Sequence, residues 1–189
     1  CTSIAIVLCS PLLLFCAAAV KISDPKGPVI FKQTRVGKNG KLFTMYKFRS
    51  MYVDAEERKK ELMAQNETGG KTFKMKNDPR IYPFGRVLRK FSLDELPQFF
   101  NIIKGDMSIV GPRPPIPSEV AEYEPWHRMR LSVTPGLTCI WQVSGRSNIS
   151  FEGQMRLDND YIKRNGKLSE DFSLILKTFK VVFKGEGAY

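Results

Sequence analysis

The sequence predicts an α+β fold that is mostly helical and contains one small β-hairpin. Two strand-like stretches, residues 29–33 and 42–50, flank a Gly-Lys-Asn-Gly turn, and Asn-Gly between such stretches is a strong hairpin signal. Apolar side chains at spacings of three and four over residues 96–103 predict a helix. The first 20 residues carry no charge and, as a helix of ~30 Å, would match one hydrocarbon core.

The composition is that of an ordered domain with an uneven basic charge. Hydrophobic residues make up 42% of the 189 residues and charged residues 26%, which argues against disorder. The net charge is +11, and residues 21–50 hold eight Lys or Arg against one Asp. Such a block after an apolar segment suits anionic lipid on the cytoplasmic side, a polyphosphate substrate or nucleic acid. A basic solvated face is the simplest alternative.

The cysteine and histidine pattern excludes two classes of site. The four cysteines are Cys1, Cys9, Cys16 and Cys139, without a Cys-x-x-Cys pair, and His127 is the only histidine. Zinc sites and disulfide frameworks need denser patterns, so we expect free thiols in a reducing compartment. Because the chain begins with a cysteine instead of methionine, we expect a processed or truncated product.

The apolar segment, residues 1–20, is predicted to enter the membrane. A plain transmembrane helix and a signal peptide are the simplest interpretations, but the basic flank that follows disfavours translocation. Pro11 removes a backbone donor at the centre of the segment, and Ser10 can bond back to a carbonyl and deepen the bend. Two half-helices of ~14 Å each would let the segment enter and leave through the same leaflet. A kinked span stays open as the alternative.

Two cations on the second predicted strand are candidate phosphate ligands. The alternation of a strand places Lys47 and Arg49 on one face, ~7 Å apart. Such a pair could hold a diphosphate. It could equally protect the edge of the hairpin from pairing with another chain, and the sequence leaves both interpretations open.

Asp94 and Glu95 are the candidate catalytic residues. A proline tolerated only in a first helical turn follows them, which predicts that the helix starts near Asp94. Acids at a helix N-terminus are common for stability alone, but this position also attracts phosphate. Arg89 lies just upstream, and Arg113 lies downstream in a proline-rich loop. An aspartate can attack phosphorus, a glutamate can bind Mg²⁺, and arginines bind phosphoryl oxygens. The combination predicts phosphoryl transfer.

A buried acid is predicted near the C-terminus. Ser150 is expected to cap a helix that ends before Gly166, and Asp158 lies on the apolar face of that helix. A buried carboxylate needs a partner, which is either an arginine in a structural ion pair or a substrate. The last predicted helix, residues 169–184, has an apolar stripe that suits core packing or the membrane interface.

The chain resembles the bacterial sugar transferases, which are monotopic phosphoglycosyl transferases that act on polyprenyl phosphate. The resemblance extends over nearly the whole chain, and the stretch FSLDELPQFFNIIKGDMSIVGPRP at residues 91–114 is its most specific part. The closing GEGAY resembles longer members, so a catalytic domain of a longer protein is expected. The other matching stretches are Ser10-Pro11, GPVIFKQTRVGKNGKLFTMYKFRSM at residues 27–51 and TPGLTCIWQVSGR at residues 134–146.

The resemblance implies a re-entrant membrane helix over residues 1–20, broken at Ser10-Pro11. A soluble catalytic domain follows over residues 21–189, with amphipathic helices at the cytoplasmic face of the bacterial inner membrane. It further implies that Asp94 is the nucleophile and that Glu95 binds Mg²⁺. The residues it implies for binding substrate are Lys47, Arg89, Arg113, Arg146 and Asp158.

The implied reaction transfers a hexose 1-phosphate from a UDP-sugar to undecaprenyl phosphate and releases UMP. This is the first membrane step of a surface glycan such as lipopolysaccharide O-antigen, capsule or exopolysaccharide, with galactose or glucose as the sugar. The expected partners are the two substrates and membrane lipid, without nucleic acid, and a homodimer stays open. The alternatives are a metal-dependent nuclease or phosphodiesterase and a non-catalytic membrane-surface module. The nuclease has no use for an apolar segment interrupted by Ser-Pro.

Overall fold

The computed structural model describes residues 2–62, 75, 77–145, 149–164 and 167–184. Arg146 and the closing GEGAY therefore lie outside the described residues. The predicted α+β class is confirmed. In chain order the elements are α1 (Thr2–Ser23), β1 (Ile30–Val36), β2 (Leu42–Phe48), α2 (Ala55–Leu62), α3 (Pro83–Lys90), α4 (Gln98–Ile103), β3 (Ser108–Val110), α5 (Pro117–Ala121), β4 (Gly136–Thr138), α6 (Ile140–Ser144), α7 (Phe151–Lys163) and α8 (Leu168–Lys184).

The N-terminal apolar segment forms one helix. α1 continues through Ser10 and Pro11 as a single helical element, and the expected re-entrant path with a break at Ser10-Pro11 stays a prediction. A proline removes a single backbone hydrogen bond, and the alanines and leucines on both sides favour the helix. Within the part of the chain that the structure describes, no helix is both long and apolar enough to cross a membrane.

The second half of α1 belongs to the hydrophobic core. Cys16 and Val20 are fully buried and pack with Phe48 at the end of β2 and Leu88 of α3. Burying such side chains removes apolar surface from water, which is the main favourable contribution to folding. The predicted boundary at residue 20 therefore falls inside α1, near its C-terminal end.

The predicted hairpin is confirmed. β1 and β2 pair antiparallel, and Asn39 in the turn adopts the left-handed conformation, with φ of 56°, that asparagine and glycine tolerate best. Lys47 lies opposite Phe31, and Arg35 lies opposite Phe43. Directly paired residues share a face of the hairpin, and so do residues four apart on one strand, such as Phe31 and Arg35. Arg35 and Lys47 therefore lie on the same face.

Arg49 does not act together with Lys47. β2 ends at Phe48, so the strand alternation stops before Arg49. The Arg49 guanidinium forms a buried ion pair with the Asp24 carboxylate and donates to the carbonyl oxygens of Asp24, at 2.6 Å, and Pro28, at 2.7 Å. Both sequence interpretations are therefore wrong for Arg49, which fastens the end of α1 to the hairpin.

The chain around the two candidate catalytic acids forms a tighter turn than predicted. Leu93–Glu95 is a 3₁₀ turn, and the α-helix begins only at Gln98. Because Pro97 has no N–H, it cannot make the backbone hydrogen bond that would extend α4 towards Asp94. The predicted helix start near Asp94 is therefore wrong by about one turn, although the predicted end of the helix at residue 103 is confirmed.

A buried asparagine, rather than the apolar stripe, docks α4 against the hairpin. Asn101 is fully buried, whereas Phe100 and Ile103 are about half exposed. The Asn101 Nδ2 donates to the carbonyl oxygen of Thr44 at 2.7 Å, and its Oδ1 accepts from the backbone N–H of Tyr46 at 3.1 Å. This side chain satisfies the outer edge of β2 in the way a third strand would.

The C-terminal helix is divided between the two predicted environments. On α8, Leu174 is buried, and Thr178 Oγ1 lies 2.7 Å from Thr138 Oγ1 of β4. Phe172 and Phe179 are exposed on the same helix. Core packing therefore accounts for one face of α8, and an apolar face remains on the surface.

We predict that Asn101→Asp destabilises the chain. The substitution keeps the acceptor for Tyr46 but turns the donor to Thr44 into a second oxygen, and a buried unsatisfied group costs about 1–3 kcal/mol. A thermal melt in detergent should show the loss, at about 2–4 °C for each kcal/mol. The control is Asn39→Asp in the exposed turn. An unchanged melting temperature for Asn101→Asp would contradict this role.

Candidate active site

Three segments that are distant in the sequence bring their charged side chains together. β2 contributes Lys47, the 3₁₀ turn contributes Asp94 and Glu95, and the loop after β3 contributes Arg113. Lys47 Nζ lies 2.7 Å from Glu95 Oε1, and Arg113 Nη1 lies 3.2 Å from the same oxygen. Lys47 Nζ lies 3.9 Å from Asp94 Oδ2. The structure thus joins four of the predicted site residues in one cluster.

The two neighbouring acids are held in different electrostatic states. Burial would raise the pKa of Glu95, but Lys47 and Arg113 outweigh it and lower the pKa to about 2. Burial raises the pKa of Asp94, and the opposing effect of Lys47 does not cancel it, since Glu95 adds a like charge. Glu95 is therefore a fixed anion between two cations, whereas Asp94 is the more basic carboxylate.

Arg89 of α3 lies within electrostatic reach of the cluster. It is one of the cations that oppose the rise in the pKa of Asp94. The backbone connects the two closely, because the N–H of Ser92 donates to the carbonyl oxygen of Arg89 at 3.1 Å. Arg89 therefore lies near Asp94, as its position just upstream in the sequence suggests, and its role in binding substrate stays a prediction.

Asp158 forms an ion pair with an arginine, which is the structural one of the two roles that the sequence left open. It is almost fully buried on α7, and its Oδ2 lies 2.7 Å from Arg130 Nη2. Burial raises the pKa of Asp158 to about 6, although Arg130 opposes that rise. The Arg130 guanidinium in turn donates to the carbonyl oxygen of Arg113 at 2.8 Å. Asp158 therefore reaches the acidic pair through other residues.

Sequence reasoning missed Arg35 as a neighbour of the cluster. Arg35 Nη1 donates to the carbonyl oxygen of Pro114 at 2.9 Å, next to Arg113. Burial and the charge of Arg113 lower the pKa of Arg35 to about 10. The signal was present in the hairpin register, which places Arg35 on the face of Lys47. Arg130 gave no comparable signal, because its partners come from distant segments.

Comparison with known proteins identifies the family of the chain. The family model described as bacterial sugar transferase matches residues 1–185. The chain belongs to the bacterial sugar transferase family. The resemblance noted in the sequence is thereby confirmed at the level of the family.

Similar members of the bacterial sugar transferase family come from several bacteria. The chain is 46% identical to the galactosyl transferase CpsE of Streptococcus agalactiae over 98% of its own length and 41% of the relative. It is 44% identical to the undecaprenyl-phosphate galactose phosphotransferase of Salmonella typhimurium, over 100% and 40%. The exopolysaccharide production protein ExoY of Rhizobium meliloti is 41% identical, over 99% and 84%. The chain spans about two fifths of the first two relatives.

The acidic pair has the donor set of one kind of metal site. Magnesium at phosphate sites takes one or two carboxylates and completes its shell with phosphate and water oxygens. Asp94 and Glu95 supply such carboxylates, while the described residues contain no cluster of three or more metal-binding side chains. These residues fit an ion that binds together with a phosphate substrate, and they do not form an all-protein cage.

We predict that Lys47→Met lowers the stability at neutral pH and that the loss fades in acid. The folded chain lowers the pKa of Glu95 from 4.5 to about 2. The stabilisation from its cations is therefore present above pH 4.5 and is lost as the pH falls through 2. At pH 7 the variant should lose about 1.5–3 kcal/mol, the range for a hydrogen bond to a charged group.

The measurement is a thermal melt of both chains from pH 7 to pH 2, with exposed Lys41→Met as the control for net charge. The difference between wild type and Lys47→Met should shrink towards the acid end. A difference that is independent of pH would mean that Lys47 stabilises the fold by packing and not through Glu95.

Proposed function

We propose that this chain is the catalytic domain of a phosphoglycosyl transferase that transfers a hexose 1-phosphate from a UDP-sugar to undecaprenyl phosphate. The observation that carries the proposal is the division between the acids. Lys47 and Arg113 hold Glu95 as an anion, while the more basic Asp94 lies beside them with Lys47 at 3.9 Å. A basic carboxylate among cations suits attack on a phosphate.

In the first step, an Oδ oxygen of Asp94 attacks the phosphorus that bears the sugar. A bond forms between that oxygen and phosphorus, and the bond from phosphorus to the oxygen bridging the two phosphates breaks. UMP leaves with the bonding electrons, and the sugar phosphate stays on Asp94 as an acyl phosphate. In the second step, a phosphate oxygen of the lipid attacks the same phosphorus, which frees Asp94 and forms a polyprenyl diphosphate sugar.

The cations around the acids stabilise the charge that builds up during transfer. The Arg113 side chain is about one third exposed, so its guanidinium can reach a phosphate while it keeps Glu95. Arg89 and Lys47 add positive charge on either side of Asp94, and fixed cations at developing negative charge lower the barrier. Glu95, together with Asp94, would hold Mg²⁺, which when bound neutralises diphosphate charge and activates the leaving group.

The names of the relatives support the substrate classes. One is named a galactosyl transferase and another an undecaprenyl-phosphate galactose phosphotransferase, so we propose galactose as the sugar. ExoY is named for exopolysaccharide production, which supports a role in surface glycan synthesis. Membership of the family favours this reaction over a nuclease or a non-catalytic membrane-surface module.

We predict that the enzyme releases UMP from its UDP-sugar before any lipid is added. Two-step transfer through Asp94 produces up to one equivalent of UMP per enzyme and ping-pong kinetics. The measurement is chromatography of nucleotides after incubation with Mg²⁺ and UDP-galactose, then UDP-glucose. Asp94→Asn should release none, and Glu95→Gln should release UMP far more slowly.

The matched control is Asp160→Asn, which removes an exposed carboxylate of α7 and should release UMP normally. Release of UDP by the wild type would contradict phosphoglycosyl transfer. Release of UMP only after lipid addition would keep the overall reaction but exclude the covalent step. More than a few per cent of activity in Asp94→Asn would make that carboxylate structural.

We further propose that α1 enters and leaves the cytoplasmic leaflet of the inner membrane. Its second half is packed into the catalytic core through Cys16 and Val20, while Leu14 and Phe15 are exposed. The basic stretch that follows favours the cytoplasmic side. The same placement would bring the exposed apolar face of α8 to the membrane surface.

We predict that the start of α1 and the hairpin turn that follows it are both accessible from the cytoplasm alone. In a chain without its native cysteines, Thr2→Cys and Asn39→Cys should react with a membrane-impermeant thiol reagent only after the inner membrane is opened. The exposed turn at Asn39 is the control for cytoplasmic location. Labelling of the Thr2→Cys chain from the periplasm of intact cells would show a span and reject re-entrance.

A further inference from the structure

The loop that carries Arg113 is held by its carbonyl oxygens. Four successive carbonyl oxygens, those of residues 112–115, each accept a hydrogen bond from a distant segment. The backbone N–H of Gly136 donates to Pro112 at 2.9 Å, and the backbone N–H of Val36 donates to Pro115 at 2.9 Å. Between them, Arg130 Nη2 donates to Arg113 at 2.8 Å, and Arg35 Nη1 donates to Pro114 at 2.9 Å.

The sequence of the loop explains this way of fastening it. Three of the four residues are prolines, which have no N–H, so the loop cannot close through its own backbone donors. Its position must therefore be fixed from outside. The strand β4 approaches so closely that a Cβ on Gly136 would lie 2.1 Å from the N of Gly111, which leaves room only for glycine there.

Each of the two arginines is itself held by a second partner. Arg130 is paired with Asp158 at 2.7 Å and donates to the Tyr123 hydroxyl at 2.9 Å. Arg35 donates twice to the Gln33 Oε1, from Nε at 3.0 Å and from Nη2 at 2.6 Å. A guanidinium has five N–H donors in a rigid plane, so one partner can orient it while another donor reaches the loop.

The loop links both arginines to the acids, because Arg113 lies within it and contacts Glu95. Arg113 Nη1 donates to Glu95 Oε1 at 3.2 Å, and the groups of a binding or catalytic site must be held within about 0.5 Å of their productive geometry. A displacement of about 1 Å at a catalytic group can cost about 10²-fold in rate.

We propose that Arg35 and Arg130 are positioning residues that hold the carbonyl oxygens of Arg113 and of the next residue, Pro114, and so place the Arg113 guanidinium at the phosphates. In this role Asp158 orients Arg130 and does not contact substrate. The inference rests on the proposed transferase function, and it assigns to residues outside the acidic cluster a part in the same reaction.

The test is a double-mutant cycle on the rate of UMP release. Arg130→Lys keeps a charge for Asp158 but loses the planar fork, and Arg35→Lys does the same for Gln33. Each should lower the rate by about 10²-fold. In an Arg113→Ala background, each should lower the rate by less than about twofold, because the group they position is gone.

The control is Arg80→Lys. Arg80 is another buried arginine, and it lies before α3, paired with Asp78 at 2.6 Å and donating to the carbonyl oxygen of Ala55. It should lower the melting temperature but leave the rate per folded molecule within about twofold of wild type. Equal losses in the presence and absence of Arg113, or no loss, would overturn the proposal.

A second measurement needs no substrate. The Nε–Hε resonance of Arg113, assigned by its loss in Arg113→Ala, should shift or broaden in Arg35→Lys and Arg130→Lys but not in Arg80→Lys. If the wild type releases no UMP from any UDP-hexose, the proposed function fails and the resonance alone decides. An unchanged Arg113 signal in both variants would then reject the positioning role.

Discussion

The contact between Glu95 and two cations is the constraint on which the candidate active site depends. Its Oε1 accepts from Lys47 at 2.7 Å and from Arg113 at 3.2 Å, and these residues come from a strand, a 3₁₀ turn and a proline-rich loop. The same contact sets the electrostatics, because it holds the pKa of Glu95 down and leaves Asp94 as the more basic acid. One carboxylate thus fixes the geometry of the cluster and sets the difference in pKa between the two acids.

Polar side chains join the segments around this contact, in addition to the hydrophobic core. Asn101 binds the edge of β2, Arg49 binds the end of α1, and Arg130 binds Asp158 and the Arg113 loop. Buried ionic groups contribute little to stability compared with apolar replacements, but the loss of one partner is costly. Their directional bonds determine one arrangement of short elements that have small apolar faces of their own.

The two acids lie in a 3₁₀ turn that is separate from the helix α4. Pro97 delays the α-helix to Gln98, so Asp94 and Glu95 project from a separate, tightly closed turn between α3 and α4. The backbone before it is left-handed at Ser92, with φ of 52°, an uncommon conformation for a residue that is not glycine. The turn places Glu95 against Lys47 of the hairpin and Arg113 of the loop, and it places Asp94 next to them.

The sequence by itself determined the features that depend on near neighbours. The Asn-Gly turn produced the hairpin, the cap at Ser150 began α7, and the adjacent acids with flanking arginines indicated phosphoryl transfer. Only the tertiary structure decided which groups meet. The tertiary structure pairs Arg49 with Asp24 and Asp158 with Arg130. It also places Arg35 in hydrogen-bond contact with the loop and pairs β3 with β4 in parallel. The physical reason is that these contacts join residues far apart along the chain, whereas the periodicity of a sequence reports only which neighbouring residues share a face.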